Sequence, residues 1–436
     1  MLVPWEETAR IQSSCDMLEN RPGNGADVHK EQNNSNTIDA VCRFLKGLFP
    51  DDGGGLVWLT GGSVRDSLLG RAIRDIDLVA VLPYDILTAR GFSYVEGVTT
   101  TPVWFRHFHD FGNVEITLLP GSNDLVADLQ RRDFTVNAMV MTLDGELADP
   151  LGGQADLQKM LLVPCSAEVF RGDPLRIFRA FRFEAEGYCL SEKATALLRS
   201  RGWDEELQRL PVERFSREML KALAAPSPER FFRRMLEFGL GRHWLPELFS
   251  MPQVPAGPLQ YHPEGDLLTH SFQVLARLAA VDPSPLARFC AFFHDIGKLA
   301  TEPALYPKHH GHEEAGFKAA TPFCRRLALP LEYGRALAWI SRFHGNANRL
   351  DQLRPATRIR MAEQSIKAGI SELLPQISAA DKGGAGSGEE WLRAVAIAGM
   401  SCEELGVNSE KLLELKPDKR SDMILQRRVE LLNRGF

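Results

Sequence analysis

Two aspartates one residue apart, Asp75 and Asp77 in DIDLVAV, follow closely on a glycine pair, Gly61-Gly62. Side chains alternate along a strand, so both carboxylates would share one face and Ile76 the other. Carboxylates held together in this way repel unless a divalent cation lies between them, and hard oxygen ligands suit Mg²⁺. Glycines without Cβ let the backbone turn sharply and approach a ligand. Ser63 stands where it would cap a following helix, aiming free N–H groups at an anion. Trp58-Leu59 closes an apolar run that reads as a buried strand. Leu59 to Val79 therefore reads as strand, glycine turn, short helix, strand. A lone glycine pair is usually only a turn, and a lone Asp-x-Asp only a solvated strand edge. In this order and spacing they read as a phosphate cradle beside a metal site, the apparatus of phosphoryl or nucleotidyl transfer.

A second set of reactive residues lies in the C-terminal half. His270 stands in THSF, His294-Asp295 in FFHDIGK, His309, His310 and His312 in KHHGHEEAG, His344 in SRFH and Asp381 in AADKGG. The chain has 11 histidines, so this clustering is informative. Neutral imidazole and carboxylate together suit divalent transition metals.

The elements that must position these groups can be read in outline. A chain of 436 residues has room for two to four domains, and 25% charged with 44% apolar residues is ordinary for a globular protein. The net charge of −6 gives no general attraction for nucleic acid, so any RNA-binding potential must be local. The 7 cysteines form no Cys-x-x-Cys pair, which suggests neither zinc nor a disulfide frame and fits a reducing cytoplasm. No stretch has signal-peptide order or the length of a membrane span.

Residues 1–36 read as a polar linker. Apolar spacing predicts a helix over Ile38–Leu48, stopped at Pro50 to Gly53. A helix over Tyr84–Ala89 and strands near Phe92–Val95, Pro102–Phe108 and Val114–Leu119 follow. Glu115 and Thr117 share a strand face; Glu115 is either a third acid of the metal site or a partly exposed strand residue. In RRDFTVNAM, an arginine fork fits phosphate or ribose oxygens, although such a triplet alone is more often a surface ion pair. Asp133 and Asn137, four apart, would share a helix face. DPLGGQADL is a turn that opens a helix. In RGDPLRIFRAFRF, Pro174 suits an early helix position and sets Asp173 beside Arg176, an acceptor and a donor that can address the edge of a base. Arg179 and Arg182 continue a basic face, the plain alternative being a solvated one. From Glu192 onward the pattern is helical.

From Gly61 to Asp77 the sequence resembles the polymerase-beta-like nucleotidyltransferases, and more narrowly the bacterial tRNA nucleotidyltransferases (CCA-adding enzymes) and poly(A) polymerases, whose signature is GGxVRDxLLGR followed by DxD. RRDxxxNAM, DPxGGxxDL and EDxxR follow in the family's order, except that Gly172 stands where the family usually has Glu. The resemblance implies catalytic Asp75, Asp77 and Glu115. It implies nucleotide contacts from Gly61, Gly62, Ser63, Arg65, Asp66, Arg131, Arg132, Asp133, Asn137, Asp173, Arg176, Arg179 and Arg182, with Arg132 on the triphosphate. Glu213 and Arg214 would buttress the base-reading helix. The interval from Pro120 to Gln130 is shorter than the flexible loop that CCA-adding relatives associate with adding the terminal A. This resembles the CC-adding branch, or is a compact loop without consequence.

The histidine-rich half resembles an HD-superfamily phosphohydrolase. By that match His270, His294, Asp295 and Asp381 bind a metal, Lys298 neutralises a phosphate, and His312 and His344 hold a second metal or the substrate. In the family the last segment helps hold the tRNA elbow.

The expectation is thus an α+β protein: a flexible extension (1–37), a nucleotidyltransferase head (38–150), a helical neck (151–225), a helical body (226–258), an HD domain (259–385) and a helical tail (386–436). It would add C and A from CTP and ATP to a tRNA 3′ end without a template, in the cytoplasm. Mg²⁺ would serve the head and Ni²⁺ or Mn²⁺ the HD domain, with no membrane and no protein partner evident. The rivals are a poly(A) polymerase, or an RNA-binding protein whose only activity is HD phosphohydrolysis.

Overall fold

The computed structural model describes residues 37–50, 56–95, 103–384, 388–408, 412 and 414–434. The N-terminal extension, the turn at Asp51–Gly53 and part of GVNSEKLLELK lie outside the described residues.

The head is one seven-stranded sheet in the order β3-β4-β5-β2-β1-β6-β7. Its strands are β1 (Val57–Thr60), β2 (Ile76–Ala80), β3 (Ser93–Val95), β4 (Val103–Phe108), β5 (Gly112–Leu118), β6 (Val140–Thr142) and β7 (Leu147–Ala148). β2 pairs in parallel with β5 in a register that sets Asp77 opposite Glu115. The other neighbours in this sheet are antiparallel. The Ile38–Leu48 helix is bounded as its apolar spacing predicts; Thr37 accepts a hydrogen bond from the Ala40 N–H, and Val41, Cys42 and Leu45 are buried.

Two local expectations need correction. Ser63 does not cap the helix that follows the glycines. That helix starts at Gly61 with Thr60 before it, and Ser63 lies inside its first turn. The Ser63 hydroxyl instead accepts from the Asp77 N–H at 2.9 Å and donates to the Asp75 carbonyl at 3.0 Å. Position decides this: a capping side chain must stand just before the first helical residue, and Ser63 is already two residues inside the helix. Asp133 and Asn137 do not share a long helix either, because only a short turn over Thr135–Asn137 forms. They still meet, Asn137 Nδ2 donating to Asp133 Oδ1 at 3.0 Å.

Beyond the head the chain is almost wholly helical. The Leu175–Ala185 helix packs on the Val212–Ala224 and Glu229–Phe238 helices through an aromatic cluster, with Phe178 edge-on to Phe215 at 4.9 Å and Phe215 stacked on Trp244 at 4.6 Å. Helices Leu267–Ala279, Pro285–Phe293, His312–Arg326, Leu331–Ala347 and Leu373–Lys382 follow; they carry His270, His312, His344 and Asp381, with His294 just past the end of the second. They share one core with the preceding helices: Phe232 of the Glu229–Phe238 helix stacks on Phe292 at 4.5 Å. Buried Arg288 donates to the carbonyls of Leu223 and Ala225, at 2.7 Å each. Helices Gly388–Gly399 and Pro417–Arg434 form the end of the chain. Among the described residues, no helix is long and apolar enough to cross a membrane.

Candidate functional site

In the head, β2 sends Ile76 into the core and leaves Asp75 exposed and Asp77 half-buried on the opposite face. The Gly62 N–H donates to Asp77 Oδ2 at 3.2 Å. Gly61 has φ +63°, and a Cβ there would lie 2.7 Å from that same oxygen. Only glycine lets the turn sit this close to the acid. Burial pushes the Asp77 carboxyl up, with Asp75 adding to the rise and Arg132 opposing it. Glu115, although solvent-exposed, is also pushed up, first by the surrounding protein and then by Asp77 and Asp75. Asp77 and Glu115 thus hold their protons more tightly beside neighbouring carboxylates, and acids crowded in this way take up positive charge, so the residues fit a divalent cation.

The basic residues around this face divide into two groups. Arg132 lies over the turn, its Nη1 3.3 Å from where a Gly61 Cβ would be. Asp128 holds it there, accepting from Arg132 Nε at 3.3 Å and Nη2 at 3.1 Å. Arg131, beside it, is largely exposed. Arg65 instead braces the scaffold: it donates to Asp66 and, at 2.6 Å, to Asn137 Oδ1. Arg179 donates twice to buried Asp133, at 2.9 and 2.6 Å. Burial alone would raise the Asp133 carboxyl. Arg179, Asn137 and the Phe134 N–H outweigh it and hold the carboxyl well below the usual carboxylate range. Arg182 is buried between Glu218 and Glu186, so its guanidinium is taken up by internal ion pairs.

The expected base-reading pair sits at the start of the Leu175–Ala185 helix. Arg176 Nη2 donates to the Arg131 carbonyl at 2.7 Å, tying this helix to the arginine loop. Asp173 Oδ2 accepts from Arg214 at 2.9 Å. A Cβ on Gly172 would meet open space, so nothing nearby forces glycine at that position. The interval after β5 is compact: a turn over Ser122–Asp124 runs straight into the Leu125–Gln130 helix.

The second centre lies among the histidine-bearing helices. His270 Nε2 lies 3.0 Å from Asp381 Oδ1 and 3.7 Å from Asp295 Oδ2. His294 Nε2 lies 3.2 Å from Asp295 Oδ2 and 3.8 Å from Asp381 Oδ1. On the other side of Asp295, Oδ1 lies 3.2 Å from His344 Nε2 and 3.4 Å from His312 Nε2. The four residues expected from the sequence are thus together, and His312 and His344 face the free oxygen of one of them. His294, His312 and His344 each direct Nδ1 at the carbonyl three residues earlier, at 2.7–2.9 Å, which leaves Nε2 for the centre. His270 Nε2, His294 Nε2 and Asp295 Oδ1 are buried and have no hydrogen-bond partner.

Burial works against protonating His270, but Asp381 and Asp295 outweigh it. These orphaned atoms fit one cation shared by His270, His294, Asp295 and Asp381, with room for a second between Asp295, His312 and His344. Lys298 is buried, donating to Asp295 Oδ2 and the Ala256 carbonyl at 2.6 Å each, so its ammonium faces a candidate ligand rather than an incoming phosphate.

Residues that sequence reasoning passed over are also visible. Asp128 holds Arg132, and its spacing from Arg131 and Arg132 was a usable signal. Asn348 donates to Asp381 Oδ2 at 2.6 Å, across 33 residues that carry no local signal.

Comparison with known proteins agrees with this geometry. The family model described as the poly A polymerase head domain matches residues 98–163. The model described as the probable RNA and SrmB-binding site of polymerase A matches residues 201–251, and the HD domain model matches residues 267–382. The chain is 35% identical over 390 residues to the multifunctional CCA protein of Methylococcus capsulatus, covering 82% of this chain and 89% of the relative. It is 36% identical over 328 residues to that of Legionella pneumophila, covering 71% and 79%. The fold is similar to the Bacillus stearothermophilus CCA-adding enzyme in complex with CTP (TM-score 0.61, 24% identity, 89% and 92% covered). It is also similar to the Thermotoga maritima CCA-adding enzyme complexed with tRNA (TM-score 0.59, 21% identity, 91% of each chain). With the glycine turn against its acids at one centre and the histidine–aspartate cluster at the other, the chain belongs to the family of multifunctional CCA proteins, bacterial tRNA nucleotidyltransferases that also carry an HD domain.

Proposed function

We propose that the chain adds C and A from CTP and ATP to the 3′ end of tRNA without a template, and that its HD centre hydrolyses phosphate esters at RNA ends. The contact of the Gly61-Gly62 turn with Asp77, beside Asp75, carries the first part. Divalent cations bound there, Mg²⁺ in this reading, would lower the pKa of the attacking hydroxyl and steady the leaving group. The tRNA 3′-oxygen attacks the α-phosphate, the bond to the β-phosphate oxygen breaks and pyrophosphate leaves. Arg132, steered by Asp128, holds the triphosphate, and the glycine turn lets the backbone approach it. Asp173 and Arg176 read the base, with Arg214 bracing Asp173. Arg65, Asp133, Asn137, Arg179 and Arg182 shape this site from beneath through the pairs they make with one another, with Asp66 and with Glu218. The head spans residues 38–150, the neck 151–225, the body 226–258, the HD region 259–385 and the tail 386–436. The HD centre would hold a divalent transition metal such as Ni²⁺ or Mn²⁺. In this reading it acts on tRNA in the cytoplasm.

The compact span from Leu119 to Gln130 favours a second reading, in which addition stops at CC. One assay separates these readings: labelled CTP, ATP or both are offered to tRNA lacking its 3′ end. Full CCA is the expected product. Arrest at CC with both nucleotides present establishes the second reading. Long A-tails on arbitrary RNA with no use of CTP, or no incorporation at all, refute both. A metal-dependent phosphodiesterase assay with 2′,3′-cyclic phosphate ends, run beside His294→Ala, tests the HD half; equal activity in that variant removes the assignment.

A further inference from the structure

The four histidines around the HD centre are not held alike. Three direct Nδ1 at backbone carbonyls. His270 directs Nδ1 at a carboxylate, Glu264 Oε1, at 2.8 Å. The same oxygen lies 3.0 Å from Nδ1 of His262, whose ring stands edge-on to that of His270 at 4.9 Å. The Glu264 side chain is only 8% exposed. Backbone bonds pin its loop on both sides: the Ala256 N–H donates to the Gly265 carbonyl at 2.9 Å, and the Leu267 N–H to the Val254 carbonyl at 2.8 Å. Gly265 itself has φ +90°, a conformation that suits glycine. This loop also reaches the other side of the centre, because its Ala256 carbonyl holds Lys298, which in turn donates to Asp295.

We infer that Glu264 is a positioning residue for the HD centre: it fixes His270 with Nε2 facing the ligand cluster and, as an anion, makes that imidazole a stronger metal donor than a carbonyl partner would. A carboxylate behind a ligating histidine both selects the tautomer and raises ligand basicity, and losing such a partner costs about 10–100-fold in metal affinity. His262 holds Glu264 from the solvent side. The inference rests on the HD reading proposed above.

Metal binding by the full chain tests it independently of hydrolysis. Apo protein is titrated with Mn²⁺ or Ni²⁺ by equilibrium dialysis, comparing the wild type with Glu264→Gln, Glu264→Ala and His294→Ala. CTP incorporation into tRNA and the apo-state thermal midpoint are followed as controls for the fold. The expected result is affinity weakened by about 10–100-fold in Glu264→Gln, which keeps an acceptor but loses the charge, and by at least as much in Glu264→Ala. Incorporation and apo stability stay unchanged in Glu264→Gln, which a merely structural role would not produce alongside lost affinity. Unaltered affinity in both Glu264 variants overturns the inference while leaving the HD reading intact. Wild-type protein that binds no metal overturns the HD reading itself. Loss of one bound equivalent in His262→Ala overturns the positioning role differently, by making His262, Glu264 and His270 a ligand set of their own.

Discussion

The two centres of this chain collect negative charge in opposite ways. In the head, Asp75 is exposed, Asp77 half-buried and Glu115 exposed, all on an open sheet face next to the glycine turn. In the HD centre, His270, His294 and Asp295 are each at most 3% exposed, and their orientations are set before any ligand arrives. The head's fixed positive charge comes from its own arginines, one of them held over the turn. In the HD centre, buried histidine and carboxylate atoms without hydrogen-bond partners fit a cation, and Lys298 is committed to Asp295. An open acidic face suits a reaction in which two substrates enter and pyrophosphate leaves. A closed cluster suits a resident metal that stays through many turnovers.

The sharpest way to break this contrast is to silence one centre at a time. Asp75→Ala with Asp77→Ala is expected to lower nucleotide incorporation by more than about 10³-fold while HD hydrolysis stays at its wild-type level. His294→Ala is expected to do the reverse, abolishing metal-dependent hydrolysis with incorporation retained. Incorporation assays and phosphodiesterase assays on both variants check the pair. If either variant lost both activities while remaining folded, the two centres would not be independent, and the shared core between Phe232 and Phe292 would be the first place to look for the coupling.

What could be read in advance was whatever lay close along the chain or was marked by residue type. The glycine turn and Asp77 are 15 residues apart, and strand alternation alone put Asp75 and Asp77 on one face with Ile76 buried behind them. The histidine–aspartate cluster was legible because histidine is scarce enough for its clustering to stand out. Partners distant in sequence were not legible. Arg179 and Arg182 looked like a free basic face at helical spacing, yet their carboxylate partners, Asp133 and Glu218, lie 46 and 36 residues away. Ser63 carried the right type for a helix cap, but a strand 12 to 14 residues on claimed its hydroxyl. Glu264, only 6 residues from His270, was within local reach and was missed because loop acids are common.

The next effect is on stability and belongs to the head side alone. Asp133 is buried against Arg179, so Asp133→Asn is expected to destabilise the protein by about 2–4 kcal/mol near neutral pH. The pH dependence follows from the sign of the shift. The folded carboxyl is held below its unfolded value of about 3.9, so its contribution is complete above that pH and fades as pH falls toward the lower folded value. Urea unfolding of wild type and variant from neutral pH down to pH ~3 should show the gap between them narrowing on acidification. A gap that stays constant would mean that the ion pair is not what Asp133 contributes.

The smallest expected effect concerns Asp128 and sharpens the comparison at its finest point, the steering of a single arginine. Asp128→Asn keeps the size of the side chain and an oxygen acceptor but removes the charge that draws Arg132 across the Leu125–Gln130 helix end toward the glycine turn. Arg132 itself remains, so the triphosphate keeps its cation and loses only the pre-set orientation. One charge-assisted pair of this kind, with Arg132 21% exposed, is worth about 1 kcal/mol, or about 5-fold. That loss should appear as a higher KM for CTP and ATP alike with kcat little changed, because steering acts on binding rather than on the attacking hydroxyl. HD hydrolysis should not move. A fall in kcat with KM unchanged would instead put Arg132 on the charge that develops as pyrophosphate leaves, and would move Asp128 from positioning the substrate to tuning the reaction.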